Sequence, residues 1–263
     1  MIYIDKYAYI SKLNKQEPMY KLVFCIMTLG VCLWANSIIV SIAVLLIMGW
    51  YTICKGGIPF ALFMKLMAIP MSFLVIGVLT IAINVSENQN IFLFSIIVFE
   101  TNIGVSQSGI QSAAHLFFKA LGAVSCLYYL SLSTPMVDLL QVLCKLRVPK
   151  LFIELMGLIY RFIFVLLETV DLMFTAQKSR MGYSNISSSY RSLAALASTL
   201  FIRAYKRSDE LYTSLEARGY DGEINVLQES FRTERLQYAV PIAINLTLIA
   251  LTLILRHFTG GLL

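Results

Sequence analysis

Long apolar runs are the feature that most constrains the fold of this chain. Residues 22–53 form a stretch of 32 positions without a single charged side chain. One perpendicular membrane helix needs about 20 apolar residues, so the run is too long for one span and short for two full ones. The polar break Trp34-Ala35-Asn36-Ser37 divides it. We therefore predict a tight hairpin of two short or tilted membrane helices.

The composition and the remaining apolar runs extend this prediction to the whole chain. The sequence is 58% hydrophobic and only 14% charged, whereas soluble domains average about 25% charged residues. Further spans are predicted over residues 58–85, 110–132 and 238–255, and residues 84–90 form a polar loop. The nine-residue run 91–99 is too short to cross and predicts a re-entrant or interfacial piece, or half of a bent helix. The fold class is therefore an all-α polytopic membrane protein with about five to six membrane helices.

The positions of lysine and arginine predict the orientation in the membrane. Residues 136–235 hold 13 of the 21 basic residues, the first 21 residues hold four, and residues 84–112 hold none. Cytoplasmic loops carry the excess of Lys and Arg. We expect the amino-terminal segment to be retained and to lie in the cytoplasm. Residues 136–235 are expected on the same side, and residues 84–112 outside. Counting the predicted membrane crossings then places Arg256 outside, although basic residues are expected on the cytoplasmic side. Either the last helix is tilted or the number of crossings is off by one.

Three regions follow from this pattern: a membrane region at 1–135, a cytoplasmic helical platform at 136–235, and a last membrane helix at 236–263. Within the platform the periodicity predicts helices over about 136–146, 150–177 and 190–216. The second of these carries Glu154, Arg161 and Glu168 at a spacing of seven, which places them on one stripe. Such a stripe is costly on a helix that crosses lipid. We expect this helix to lie along the membrane face or to pack on a neighbouring helix.

Two arginines stand where long helices of the platform end. Each is closely followed by glycine, in Ser179-Arg180-Met181-Gly182 and in Ala217-Arg218-Gly219. One interpretation is ordinary capping, with a cation at the negative end of the helix dipole and Gly219 as a left-handed cap. The other is docking of a partner, because a guanidinium presents five donors in a fixed fork that fits carboxylates. Two such motifs in one cytoplasmic block favour docking, and the candidate docking residues are Ser179, Arg180, Met181, Ala217, Arg218 and Gly219.

The residues that catalysis or metal binding would require do not form motifs. No GxxxxGK[ST] loop is present, so we expect no ATP hydrolysis by this chain and no cofactor bound to it. His115 and His257 stand far apart, and the five cysteines contain no CxxC pair. The net charge of +6 is explained by orientation in the membrane, and we expect no nucleic-acid partner. The chain is therefore predicted not to be an enzyme and to contain no catalytic residue or metal site.

The order and spacing of several short motifs resemble the transmembrane T component of energy-coupling-factor transporters, of the CbiQ type. The resemblance covers nearly the whole chain and is strongest toward the end of the platform. It is carried by Asp5-Lys6-Tyr7-Ala8-Tyr9, Ser133-Thr134-Pro135, Leu146-Arg147-Val148-Pro149, Tyr160-Arg161-Phe162, Leu200-Phe201-Ile202-Arg203-Ala204 and Ala217-Arg218-Gly219-Tyr220-Asp221-Gly222.

In that family, X-Arg-X motifs at the ends of two coupling helices dock into grooves of two cytoplasmic ATPases. The resemblance gives these roles to Arg180 and Arg218 with their neighbours. The first motif reads Ser-Arg-Met, with Gly182 one place later, instead of the common Ala-Arg-Gly. The resemblance also implies a pair of ABC-type ATPases that bind ATP and Mg²⁺, and a substrate-binding S subunit of the CbiM type with a small CbiN-like subunit. The implied cargo is cobalt ion, with nickel or a vitamin as alternatives, and the implied location is a bacterial or archaeal cell membrane.

Functions of other classes remain compatible with the sequence. A polytopic membrane enzyme or a stand-alone secondary carrier would need polar residues that converge at mid-membrane, or inverted repeats with broken helices. Pro70 and the short piece 91–99 are the nearest candidates for such features. A membrane scaffold without a transport role is a third alternative.

Overall fold

The computed structural model describes residues 3–86, 92–98, 101–221 and 238–258. The chain divides into two compact units, which we describe separately. The membrane unit comprises Ile2–Pro135 and Ser230–Leu263, and the platform unit comprises Met136–Glu229. In the described part of the chain, five helices are long and apolar enough to cross a membrane, which agrees with the all-α polytopic class. They are Pro18–Ala35, Ile38–Lys55, Phe60–Ile81, Gly109–Ser133 and Ala239–His257.

The elements follow one another in the order of the chain. The membrane unit begins with helix α1 (Tyr3–Ile10), a short 3-10 turn (Lys12–Lys15), α2 (Pro18–Ala35), α3 (Ile38–Trp50), a π-helical turn (Tyr51–Lys55) and α4 (Phe60–Ala82). It continues with strands β1 (Ile83–Ser86), β2 (Phe92–Val98) and β3 (Thr101–Ser106), helix α5 (Gln107–Ser133) and, after the platform, α9 (Ala239–Phe258). The platform unit contains α6 (Met136–Lys145), α7 (Lys150–Ser179) and α8 (Ile186–Ala217).

The predicted hairpin in the first apolar run is confirmed. Helix α2 ends at Ala35, and Asn36 takes a left-handed conformation with φ 45°. Asn tolerates this conformation better than most residues, which explains why the polar break can reverse the chain. The π-helical turn then lengthens α3 to a span of 18 residues, Ile38–Lys55. Two short helices thus share the 32-residue run.

For residues 91–99 the bent-helix alternative is wrong, while the re-entrant or interfacial piece stays a prediction. Phe92–Val98 forms β2 of a three-stranded antiparallel sheet with strand order β1-β3-β2. Residues 83–86 at the start of the predicted polar loop form β1, in the register Ile83↔Val105 to Ser86↔Asn102. The sequence Phe-Leu-Phe-Ser-Ile-Ile-Val is rich in β-branched and aromatic residues, which favour strands. A segment this short cannot cross as a helix, and pairing with β3 satisfies the backbone hydrogen bonds along one edge of the strand.

Helix α5 packs against α2, α3 and α4 and forms the centre of the membrane unit. The rings of Phe24, Tyr51 and Tyr129 meet edge to face, with centroids 5.3 to 6.4 Å apart. Such edge-to-face arrangements are preferred by aromatic pairs. The thiol of Cys25 donates to the carbonyl of Cys126 at 3.2 Å. These contacts fix α2 and the α3 end on the same face of α5.

The last helix, α9, runs in the same direction as α2. At its beginning the Tyr238 hydroxyl donates to Glu17 Oε2 at 2.8 Å. Further along, Asn245 Nδ2 donates to Thr28 Oγ1 at 3.4 Å. The end of α9, with Arg256, therefore lies at the end of the bundle opposite to Glu17. A last helix parallel to the first span agrees with an odd number of crossings, and therefore with five rather than six.

A buried lysine closes the end of the membrane unit where α5 stops. Lys21 is fully buried, and its ammonium donates to the Ser133 carbonyl at 2.8 Å. Ser133 is the last residue of α5. The charge therefore sits against the negative end of the α5 dipole, where a cation is favoured.

Replacing this lysine with leucine is expected to destabilise the membrane unit. In the Lys21→Leu variant the Ser133 carbonyl loses a buried donor, a loss that typically costs about 1–3 kcal/mol. Thermal unfolding in detergent measures the effect. The exposed Lys6 provides the control, because Lys6→Leu removes the same charge without a buried hydrogen bond. An unchanged unfolding midpoint in Lys21→Leu would contradict the assigned role.

The platform unit is an antiparallel arrangement of α7 and α8, with α6 packed on α7. Gln177, near the end of α7, donates to the Ser192 carbonyl near the start of α8. Tyr220, just after α8, contacts Glu154 near the start of α7. Helix α8 begins four residues earlier than predicted, and the ends of α6 and α7 lie within two residues of their predicted positions. Neither α7 nor α8 contains a fully buried residue.

Candidate docking site at the tips of two helices

The first candidate motif forms a complete helix cap at the end of α7. Arg180 occupies the cap position with φ −94° and ψ 20°, and Met181 is left-handed with φ 58°. The Gly182 amide donates to the Gln177 carbonyl at 2.9 Å, and the Met181 amide donates to the Lys178 carbonyl at 3.1 Å. These two bonds define the Schellman motif, which satisfies the last carbonyls of a helix with backbone donors. We call residues 179–182 the first tip.

The second candidate motif has the same cap at the end of α8. Arg218 occupies the cap position with φ −96° and ψ 10°, and Gly219 is left-handed with φ 75°. The Tyr220 amide donates to the Leu215 carbonyl at 3.0 Å, and the Gly219 amide donates to the Glu216 carbonyl at 2.9 Å. The left-handed cap predicted at Gly219 is confirmed. We call residues 217–220 the second tip.

The two tips are equivalent position by position. Met181 corresponds to Gly219, and Gly182 corresponds to Tyr220, because each pair makes the same cap hydrogen bonds. The departure of the first motif from Ala-Arg-Gly therefore leaves the backbone of the tip unchanged. Both arginine side chains start from the last helical turn in the same local geometry.

The guanidinium groups are not needed for capping. In both tips the donors to the last carbonyls are backbone amides. Arg180 and Arg218 are exposed, and among the described residues neither side chain has a hydrogen-bond or ion-pair partner. By contrast, Arg207 in the middle of α8 pairs with Glu210 at 3.0 Å. As far as the described residues show, each tip thus offers the five donors of its guanidinium to a partner.

The tips stand at opposite ends of the platform unit. Helix α8 has 32 residues, so it extends about 48 Å at 1.5 Å per residue. The first tip precedes its start, and the second tip follows its end. The arrangement can hold two separate partner surfaces, or two subunits of one partner, at a fixed spacing.

The first tip is fastened to the start of α8 by a small polar network. The hydroxyls of Ser188 and Ser192 both donate to the Gly182 carbonyl at 2.9 Å. Gln177 Nε2 donates to the Ser192 carbonyl at 3.0 Å, and the Tyr183 hydroxyl donates to Gln177 Oε1 at 2.7 Å. The spacing of four between the two serines, which puts them on one helix face, was the available signal.

Gly182 has no room for a side chain. A Cβ atom there would lie 2.7 Å from Ser192 Oγ and 2.9 Å from the Gln177 carbonyl oxygen. We expect Gly182→Ala to lower the stability of the platform unit by about 1–3 kcal/mol, the usual cost of overpacking. Thermal unfolding or limited proteolysis of the tip measures it. Gly77→Ala is the control, because a Cβ at Gly77 in α4 meets nothing within 4 Å. Equal midpoints for Gly182→Ala and wild type would contradict the close packing.

The second tip is fastened to α7 by a single side chain. The Tyr220 hydroxyl donates to Glu154 Oε2 at 3.4 Å. Partial desolvation and the neighbouring Glu154 carboxylate raise the pKa of Tyr220 above its usual value. Tyr220 also lines a groove of about 690 Å³ between α7 and α8. The groove is lined mainly by apolar side chains, among them Leu155, Leu158, Phe162, Leu211 and Leu215.

The part of the chain that the structure describes contains no group of three or more His, Cys, Asp or Glu side chains that could hold a metal ion. The arrangement at the tips offers hydrogen-bond donors and positive charge, together with exposed backbone. Its chemistry is that of binding acidic groups.

Comparison with known proteins agrees with this arrangement. Residues 10–228 match the model of the CbiQ family, described as a cobalt transport protein. The uncharacterized protein MJ1089 of Methanocaldococcus jannaschii is 35% identical over 97% of this chain and 94% of its own length. The cobalt transport protein CbiQ of Salmonella typhimurium is 34% identical over 61% of this chain and 71% of its own length.

Relatives with other names extend the same family. A putative fused cobalt transport protein CbiMQ of Methanocorpusculum labreanum is 31% identical over 83% of this chain and 36% of its own length. More distant bacterial relatives, at 26–29% identity, carry the name energy-coupling factor transporter transmembrane protein EcfT. The family match across most of the chain, together with these long alignments, shows that this chain belongs to the CbiQ family of energy-coupling-factor transmembrane components.

Proposed function

We propose that this chain is the transmembrane coupling subunit of an ABC-type importer that takes up cobalt ion. A pair of cytoplasmic ATPases docks on the two tips, and Arg180 and Arg218 bind acidic groups in the ATPase grooves. The observation that carries the proposal is the equivalence of the tips: two exposed arginines, without a side-chain partner among the described residues, stand in the same cap geometry at opposite ends of α8. The family membership and the names of the relatives support the transport role.

The proposed mechanism is transmission of movement. The partner ATPases bind ATP and Mg²⁺, and their closure changes the spacing between the two docked tips. The first tip is bonded to α8 through Gly182 and Ser192, and the second tip is bonded to α7 through Tyr220 and Glu154. Each tip is therefore tied to both long helices, so a displacement of either tip moves the pair. The chain hydrolyses no ATP itself in this proposal.

The substrate is bound by another subunit in this proposal. A membrane-embedded S subunit of the CbiM type, with a small CbiN-like subunit, binds the ion and is reoriented by the platform. The fused CbiMQ relative supports such a partner, because its name joins the two components in one chain. The open apolar sides of α7 and α8 suit contact with a membrane-embedded partner or with lipid. Nickel or a vitamin remains the alternative cargo, and a bacterial or archaeal cell membrane is the proposed location, with the amino terminus and the platform cytoplasmic.

The two sequence features that could have indicated the broken helices of a carrier do not form such helices. Pro70 lies inside the continuous helix α4, and residues 92–98 form a strand. These positions therefore give no support to a stand-alone carrier.

Co-purification with co-expressed ATPases tests the proposal. The tagged chain is expected to retain the ATPases, and the Arg180→Glu/Arg218→Glu double variant is expected to lose them. Lys206→Glu is the matched control, because it reverses an exposed charge of α8 away from both tips. Equal recovery with the double variant would mean that the arginines are not the docking groups. Failure of the wild-type chain to retain any ATPase would contradict the proposed function itself.

A further inference from the structure

The turn between α3 and α4 holds the amino-terminal segment of the chain. The Gly56 carbonyl accepts two hydrogen bonds from this segment, one from the Ser11 hydroxyl at 3.1 Å and one from the Lys12 amide at 3.1 Å. The Ser11 hydroxyl also accepts from the amide of Leu13 at 3.3 Å, and the Leu13 side chain is buried in the core. Two distant parts of the chain are therefore fixed together at the end of the membrane unit where α3 stops.

Two lysine side chains leave this turn along defined courses. The stem of Lys12 crosses over Gly57, because its Cγ, Cδ and Cε atoms lie 3.6 Å from the place that a Cβ of Gly57 would take. Lys55 stands two residues earlier, at most about 7 Å along the backbone. Its ammonium lies 4.7 Å from the centroid of the Tyr51 ring, which is a cation–π contact. Both lysines are exposed, and within the described part of the chain neither ammonium has an acidic partner.

The surroundings of Lys55 are typical of the boundary between membrane and water. Tyr51 precedes Lys55 by one turn, so the lysine side chain points back along α3 toward the apolar span. Trp50 meets the Tyr51 ring edge to face, with centroids 5.4 Å apart, and is 54% exposed. Phe60, the first residue of α4, is also exposed. Tryptophan, tyrosine and lysine together mark the level of the lipid headgroups.

Orientation in the membrane does not account for the courses of these side chains. A lysine fixes orientation wherever it lies on the cytoplasmic side, so neither packing on a glycine nor contact with a ring is required. The local charge is also one-sided: residues 18–86 contain no Asp or Glu, and the Glu17 carboxylate already accepts from the Tyr238 hydroxyl at 2.8 Å. Two placed ammonium groups at headgroup level, away from acids, form a site for an anion.

We propose that Lys12 and Lys55 bind the phosphate of an anionic phospholipid. An ammonium group offers three donors and a compact charge, which suit a phosphate. The acyl chains lie along the exposed rings of Trp50 and Phe60, and this apolar flank selects a lipid over free phosphate. The bound lipid joins the amino-terminal segment to the α3–α4 turn. Only the choice of the cytoplasmic leaflet rests on the proposed function, through its orientation; the site itself is independent of ATPase docking.

Native mass spectrometry of the purified full chain in detergent tests the site. The chain is titrated with phosphatidylglycerol, with zwitterionic phosphatidylcholine and with inorganic phosphate. The test variant is Lys12→Gln/Lys55→Gln, and Lys12→Arg/Lys55→Arg keeps both charges. The matched control is Lys6→Gln/Lys65→Gln, which removes the same charge from two other exposed lysines of the membrane unit. Unfolding midpoints of all variants are expected to equal that of wild type, because the substituted side chains are exposed.

We expect the wild-type chain to bind phosphatidylglycerol in preference to phosphatidylcholine. One lysine near an anionic lipid surface changes binding about fivefold. The Lys12→Gln/Lys55→Gln variant should therefore bind phosphatidylglycerol roughly thirtyfold more weakly, while the arginine variant and the control should stay within about threefold of wild type.

Four results would overturn the proposal. The first is undiminished phosphatidylglycerol binding in Lys12→Gln/Lys55→Gln, and the second is an equal loss in the Lys6→Gln/Lys65→Gln control, which would show unspecific attraction. The third is equal binding of the two phospholipids by wild type. The fourth is displacement of phosphatidylglycerol by an equal concentration of inorganic phosphate, which would identify a site for free phosphate. The proposed function is tested separately, by recovery of the ATPases with Arg180→Glu/Arg218→Glu.

Discussion

Reversing Arg218 to glutamate is expected to abolish nearly all coupled cobalt uptake. In the proposed docking, a glutamate at the second tip would face the acidic groups of the ATPase groove in place of the arginine. Truncating one partner of a buried charge pair at an interface typically costs about 2–5 kcal/mol, which corresponds to a loss of roughly thirtyfold or more. Uptake of radioactive cobalt by cells that express the chain with its partner subunits measures the effect.

Two further variants sharpen this result. Arg218→Lys keeps the charge but loses the planar fork, so an intermediate loss is expected. Lys206→Glu reverses a charge on the exposed surface of the same helix and should leave uptake near the wild-type rate. Wild-type uptake by Arg218→Glu would mean that the second tip does not transmit the movement.

Reversing Arg180 to glutamate is expected to cause a loss of similar size, and the double variant is expected to be no worse than either single one. This non-additivity follows if both tips must be docked before the movement of the ATPases can be transmitted to the S subunit. The tips lie at opposite ends of α8, too far apart for direct coupling between the two side chains. Uptake in the two single variants and the double variant, at matched protein levels, measures it. Losses that multiply in the double variant would show that each tip acts independently.

The two interpretations of the arginines, capping and docking, differ in what they demand of the guanidinium. Capping would place it on the last carbonyls of its helix, but at both tips backbone amides already donate to two of these carbonyls. The favourable interaction with the helix dipole remains and is worth a few tenths to about 1 kcal/mol at an exposed site. Stability alone therefore gives a small reason for arginine at these positions, and a partner gives a larger one.

The sequence by itself determined the features that depend on residue type and on local spacing. Charge-free runs determined the membrane class and the hairpin at Asn36, because burying a charge in lipid is costly wherever it lies along the chain. Helical periodicity and the glycines after Arg180 and Arg218 determined where α7 and α8 end, since caps use residues within one turn. The strand at Phe92–Val98 could not be told from half of a bent helix, because an apolar run without clear periodicity is compatible with both.

Only the tertiary structure decided the relations between residues that are distant in the chain. The pairing of β2 with β3, the direction of α9 beside α2, and the bond from Tyr220 to Glu154 all depend on how separate elements fold back on one another. The equivalence of the two tips was also hidden, because Ser-Arg-Met and Ala-Arg-Gly differ as sequences. Backbone hydrogen bonds form without regard to side-chain identity, so the same cap can hold either motif. The cap hydrogen bonds of the first tip place the left-handed residue at Met181, against the preference of its side chain.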